Sequence, residues 1–102
     1  MIEVTILIPV ADNDGHEFSA DHHRAFESLL LETFGGFSRL PGLVRGAWLG
    51  DGIRYDDDLI VYLVAIQSIA GGGNVGGAAS FAKVHYRQEA IFLRYLGRAE
   101  II

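Results

Sequence analysis

The chain has 102 residues, half of them hydrophobic, with eight Lys and Arg against thirteen Asp and Glu and no cysteine. That length holds one domain, residues 1–102, and leaves no room for a second core. The net charge of −5 and the scatter of the basic residues argue against nucleic-acid binding, and the lack of thiols removes disulfides, thiolate metal sites and a Cys nucleophile.

The first predicted element is a strand from Ile2 to Val10, with Ile2, Val4, Ile6, Ile8 and Val10 on one face at period two. Pro9 has no amide hydrogen, so ladder pairing should lapse there. The turn formers of residues 11–17 make a polar loop. Ser19 is the expected N-cap of a helix that runs to Phe34, with Asp21 in its first turn and Phe26, Leu29, Leu30 and Phe34 as its apolar stripe. Gly35-Gly36 should end it.

After the turn at Leu40-Pro41-Gly42, residues 43–49 read as the second strand and residues 59–67 as the third. Between them residues 50–58, rich in Gly and Asp, read as a long hairpin connection. The third strand is apolar on both faces, which a strand covered on both sides requires. Residues 69–74 read as a glycine-rich link, and Asn74 as the cap of a second helix to Arg87 that places Ala78, Phe81, Ala82 and His85 on one face. Residues 90–96 form the fourth strand, interrupted at Gly97, with 98–102 as an extended tail.

Strand-helix-strand crossovers are right-handed, so this order predicts an α+β, ferredoxin-like βαββαβ domain. It is a four-stranded antiparallel sheet with the first and third strands central and both helices on one face. The helix-free face then needs cover. Mean hydropathy is +0.27, high for a small monomer. A second copy packed sheet to sheet is the expected cover, giving a homodimer. No apolar run reaches the roughly 18 residues that span a bilayer, and the N-terminus lacks a basic leader pattern, so no membrane contact and a cytoplasmic location are expected.

Five constellations are candidates for chemistry. His16, Glu17, Asp21, His22 and His23 are metal-ligand types, but adjacent helical histidines diverge by about 100°. Asp12-Asn13-Asp14-Gly15 misses the calcium-loop register and reads as a solvated turn. Asp51 with Asp56-Asp57-Asp58 reads as a solvent-facing charge run, and the glycine-rich link lacks the Lys or Thr of a phosphate loop. No metal and no cofactor are therefore expected. The fifth group is His85 through Glu89 with Arg94 and Trp48. His85 is the candidate acid–base, and Trp48, Tyr62, Arg94 and Glu89 are the candidate ligand contacts. The competing structural reading gives His85 a backbone carbonyl and pairs Glu89 with Arg94.

The topology, with Trp48 and His85, resembles the dimeric α+β barrel group of small antibiotic-biosynthesis-type monooxygenases and haem-degrading enzymes. Some of these use an Asn, a Trp and a His. No asparagine stands in the first strand; Asn13 follows it. The chain also looks like small uncharacterised bacterial proteins that share Pro9 with Asp12-Asn13, Phe34-Gly35-Gly36-Phe37 and Arg87-Gln88-Glu89-Ala90, a likeness that brings no activity. The expectation is a dimeric small-molecule-binding domain. A small cofactor-independent oxygenase- or isomerase-like enzyme is the alternative, and an interaction module using the tail is the third reading.

Overall fold

The computed structural model describes residues 1–67 and 73–98. In chain order the elements are β1 (Ile2–Pro9), α1 (Ala20–Phe34), β2 (Ser38–Arg39), β3 (Val44–Gly50), β4 (Ile53–Ile66), α2 (Gly73–His85) and β5 (Phe92–Arg98). β1 and β4 form the centre of the sheet, antiparallel from Ile2↔Ile66 to Pro9↔Leu59. β5 adds to the free edge of β1, and β2 and β3 share the outer edge of β4. The architecture is α+β and ferredoxin-like, with five strands rather than the expected four because Ser38–Arg39 pairs with Leu63 and Tyr62.

The pleat divides the sheet residues into two sets. Val4, Ile6 and Ile8 of β1 and Ile60, Tyr62, Val64 and Ile66 of β4 pack with Phe26 and Leu30 of α1 and with Val75, Ala78 and Ala82 of α2. That is the core. By register, Thr5, Leu7, Pro9, Leu59, Val61, Val44, Trp48, Tyr55, Phe92 and Arg94 share the helix-free face.

The caps of α1 follow the sequence reading. Ser19 Oγ accepts from the His22 amide at 3.1 Å, and Gly35 turns left-handed with φ 79° while its amide bonds Leu31. α2 departs from it. Its described part begins at Gly73, so Asn74 lies inside the helix, and the residues before it are outside the described set. The helix ends at His85 because Arg87 adopts φ 52°. The Arg87 amide bonds the Val84 carbonyl and the Gln88 amide bonds the Lys83 carbonyl at 2.8 Å, the paired bonds of a Schellman ending with an arginine where glycine is usual.

Residues 50–58 are the main correction. They form no loop: β3 and β4 continue as a hairpin closed by the two residues Asp51 and Gly52, with φ 50° and 78°. Two successive positive φ values at Asp-Gly match the twist of paired strands, and this turn chemistry outweighs the poor strand propensity of the aspartates. Alternation then separates the charge run. Asp58 meets Arg45 at 3.7 Å and Asp56 meets Arg54 at 3.1 Å on one side, while Asp57 points to the other. β5 also runs through Gly97 to Arg98 instead of stopping before it, and residues 99–102 of the expected tail lie outside the described residues. No helix among the described residues is long and apolar enough to cross a membrane.

Candidate functional site

A groove of about 430 Å³ opens on the helix-free face. Its floor is Leu7, Pro9 and Leu59, and its wall is the indole of Trp48 facing Phe92. Neighbouring strands stand about 4.8 Å apart, so side chains from β3 and β5, with two strands between, would ordinarily be well separated. Their rings nevertheless approach to 5.9 Å between centroids. The β3–β4 hairpin therefore curls over the sheet and brings Trp48 to Phe92.

Three neighbours fix the indole. Gly46, two residues back on the same face, lets the ring lie over the strand: a Cβ there would stand 2.7 Å from Trp48 Cζ2 and 3.1 Å from Leu59 Cδ1. Asp57, the cross-strand partner of Gly46, accepts a 2.9 Å hydrogen bond from Trp48 Nε1. Phe92 closes the third side. Trp48 still keeps 37% of its surface open and Phe92 42%. An aromatic ring held in place yet left uncovered has the form of a binding wall. The polar rim comes from Asn13 in the β1–α1 loop and from Gln88 and Glu89, which the Schellman turn delivers to the groove. Asn13 is set by its neighbour Asp12, whose Oδ1 accepts from the Asp14 and His16 amides at 2.9 Å each. The His16 amide is the main reason the Asp12 carboxyl titrates below its ordinary value.

The sequence-predicted site residues separate into groups. Trp48 and Glu89 line the groove together. Arg94 lies on the same face beside it, with its guanidinium 5.9 Å from the Phe92 ring centroid and no ion pair to Glu89 among the described residues. Tyr62 lies on the other side of the sheet, fully buried, and donates to Glu27 Oε2 at 2.6 Å. Burial, then that hydrogen bond, raises its hydroxyl far above the ordinary range.

His85 belongs to a column of four rings between the helices. Phe18 stacks on His22 at 4.9 Å, His22 on His85 at 3.7 Å, and His85 on Phe81 at 5.0 Å. His22 Nε2 donates to the His85 carbonyl at 2.6 Å, and His85 Nε2 donates to the His22 carbonyl at 2.7 Å. A carbonyl only accepts, so both Nε2 atoms carry hydrogen. Beside the column, buried His23 bonds the Tyr86 hydroxyl at 2.8 Å, and burial is the first cause lowering its pKa. His85 lines neither this groove nor the acidic one described below.

Sequence reasoning passes over Gly46, Asp57 and Phe92 as a unit. The Asp51-Gly52 pair holds part of the signal: a two-residue turn fixes Gly50↔Ile53 and hence Gly46↔Asp57. The approach of Phe92 depends on the curl of the hairpin, which no local pattern encodes. Asp12, Asp14 and His16 also place ligand atoms within 4.8 Å of one another, in the turn read as solvated.

Fold and groove together define a class: a ferredoxin-like α+β domain with an aromatic groove on its helix-free face. No protein-family model matches the chain, and no curated protein matches it significantly in sequence. Solved structures do share the fold. A divalent cation tolerance protein (CutA1) from Thermus thermophilus is similar with a TM-score of 0.68 and 17% identity over 99% of this chain and 86% of its own. A phage SAM lyase in complex with S-methyl-5′-thioadenosine has a TM-score of 0.71 and 11% identity over 95% of this chain and 81% of its own. CutA1 from Pyrococcus horikoshii has a TM-score of 0.58 and 12% identity, covering 98% and 87%. At these identities the likeness is one of fold.

Proposed function

We propose that this chain is a small-molecule-binding domain, with its ligand against Trp48 in the groove of the helix-free face. The observation that carries this is the indole fixed by Gly46 and Asp57 beside Phe92 yet more than a third exposed. Sites are built this way: orientation is set before the ligand arrives, and less ordering is left to oppose binding. Trp48 and Glu89 contact the ligand. Tyr62 lies in the helix-side core and the His85 ring stacks between His22 and Phe81, and neither lines the groove, so the oxygenase-like alternative gains no support from it. The phage SAM lyase of the same fold was solved with S-methyl-5′-thioadenosine, which makes that compound a natural first probe.

The chain has one tryptophan. Its fluorescence and its single indole N–H resonance therefore report on the groove directly. Titrating S-methyl-5′-thioadenosine and then a broad panel of small metabolites should give a saturable change for at least one. A panel that moves neither signal overturns the reading.

We further propose that a second copy covers the apolar remainder of this face. Thr5 is 6% exposed, and its hydroxyl is buried there with no hydrogen-bond partner among the described residues. On the same face Val44, Ile53, Tyr55 and, at the groove, Phe92 remain exposed. Native mass spectrometry should show a dimer at micromolar concentration, and a monomer there removes this part.

A further inference from the structure

We infer that the groove selects an organic cation carrying a flat apolar group, an inference that rests on the small-molecule reading above and sharpens it. Two independent features converge. The first is the aromatic wall: the faces of Trp48 and Phe92 attract positive charge through their ring quadrupoles. Phe92 already has one cation near it, the guanidinium of Arg94 at 5.9 Å.

The second is the sign of the rim. Asp57 and Glu89 stand at the groove, and neither forms an ion pair among the described residues. A second groove of about 580 Å³ adjoins the first, sharing Pro9, Asn13, Trp48 and Asp57 and adding the carboxylates of Glu17 and of Asp12, the latter 3.5 Å from His16 Nδ1. No Lys, Arg or His lines either groove among the described residues. Arg54 and Arg45 pair with Asp56 and Asp58 at the hairpin and leave Asp57 free of a cationic partner among the described residues. An anionic ligand would meet Asp57 and Glu89 at the groove, with Arg94 beside Phe92 and Arg87 near Asp12 to answer it. A neutral ligand would leave the rim charge unused. A planar cation stacks on the indole and places its charge between Asp57 and Glu89.

The test uses three probes of one ring size and different charge: 2-phenylethylammonium, 2-phenylethanol and phenylacetate. Each is titrated into the full chain at low salt while the Trp48 indole N–H resonance and fluorescence are followed. The ammonium should bind about five- to tenfold more tightly than the alcohol, the scale of one exposed ion pair plus one cation–π contact, and the carboxylate should be weakest. Glu89 is exposed, so Glu89→Gln should fold normally; it should shrink the preference for the ammonium over the alcohol to about twofold. Equal binding of all three probes, or tightest binding of the carboxylate, overturns the cation assignment and leaves the groove reading intact. Silence from all three, when the metabolite panel is silent as well, overturns both.

Discussion

The two faces of this sheet hold the same device in opposite settings. On the helix side Tyr62 donates to Glu27 at 2.6 Å, and on the open side Trp48 donates to Asp57 at 2.9 Å. Each is an aromatic ring anchored through its polar edge to a carboxylate. Tyr62 is fully buried and packs with Phe26 and Phe37, whereas Trp48, beside Phe92, keeps 37% of its surface exposed. Hydrogen bonding alone therefore separates nothing structural from anything functional here. What differs is whether the ring has a neighbour on every side.

The strongest way to break this comparison is to truncate one ring on each face. Phe26→Ala, in the helix-side core, should cost about 3–5 kcal/mol in urea unfolding. Trp48→Ala should cost less than about 1.5 kcal/mol, because much of its surface is already in water, while abolishing ligand binding measured by calorimetry. Equal losses would mean that Trp48 is a core residue. Gly46→Ala comes next. Its new methyl must displace the indole, so the Trp48 resonance and emission should shift, with a destabilisation of about 1–3 kcal/mol.

A smaller effect separates the faces by pH. Burial lowers the pKa of His23, so the unfolded chain takes up a proton that the folded one resists. Stability should be full above the ordinary value of 6.5 and fall as pH drops through it towards the lowered folded value. Urea midpoints from about pH 7.5 down to about pH 5 would show this slope, and His23→Phe should flatten it. A midpoint that rises on acidification contradicts the burial of His23. The smallest expected change is a gain. Arg87→Gly relieves a left-handed residue at the end of α2 and should add up to about 1 kcal/mol without altering the groove.

These differences bear on what the sequence makes legible. The alternation of β1 and the helical spacing of Phe26 and Leu30 each report burial on one face, and both caps of α1 can be read from Ser19 and Gly35. Periodicity encodes such features locally. The hairpin escapes a composition argument, to which Asp56-Asp57-Asp58 looks like a loop, because the decisive signal is the two residues Asp51-Gly52. The groove is half legible. Trp48 and Glu89 stand out in the sequence, but their role depends on Phe92, which only the three-dimensional curl of β3 brings near. The end of α2 carries no glycine to mark it, and Arg87 takes the turn at a backbone cost.

The clasp between His22 and His85 has a consequence for how the chain can vary. Each imidazole bonds the other residue's main chain and stacks on its ring, across 63 positions of sequence. Replacing one alone strips a carbonyl of its donor and leaves the surviving ring without its stacking partner. A joint replacement by two rings that stack restores half of the arrangement. The two positions are thus expected to change together among relatives, an inherited pairing that fastens the start of one helix to the end of the other.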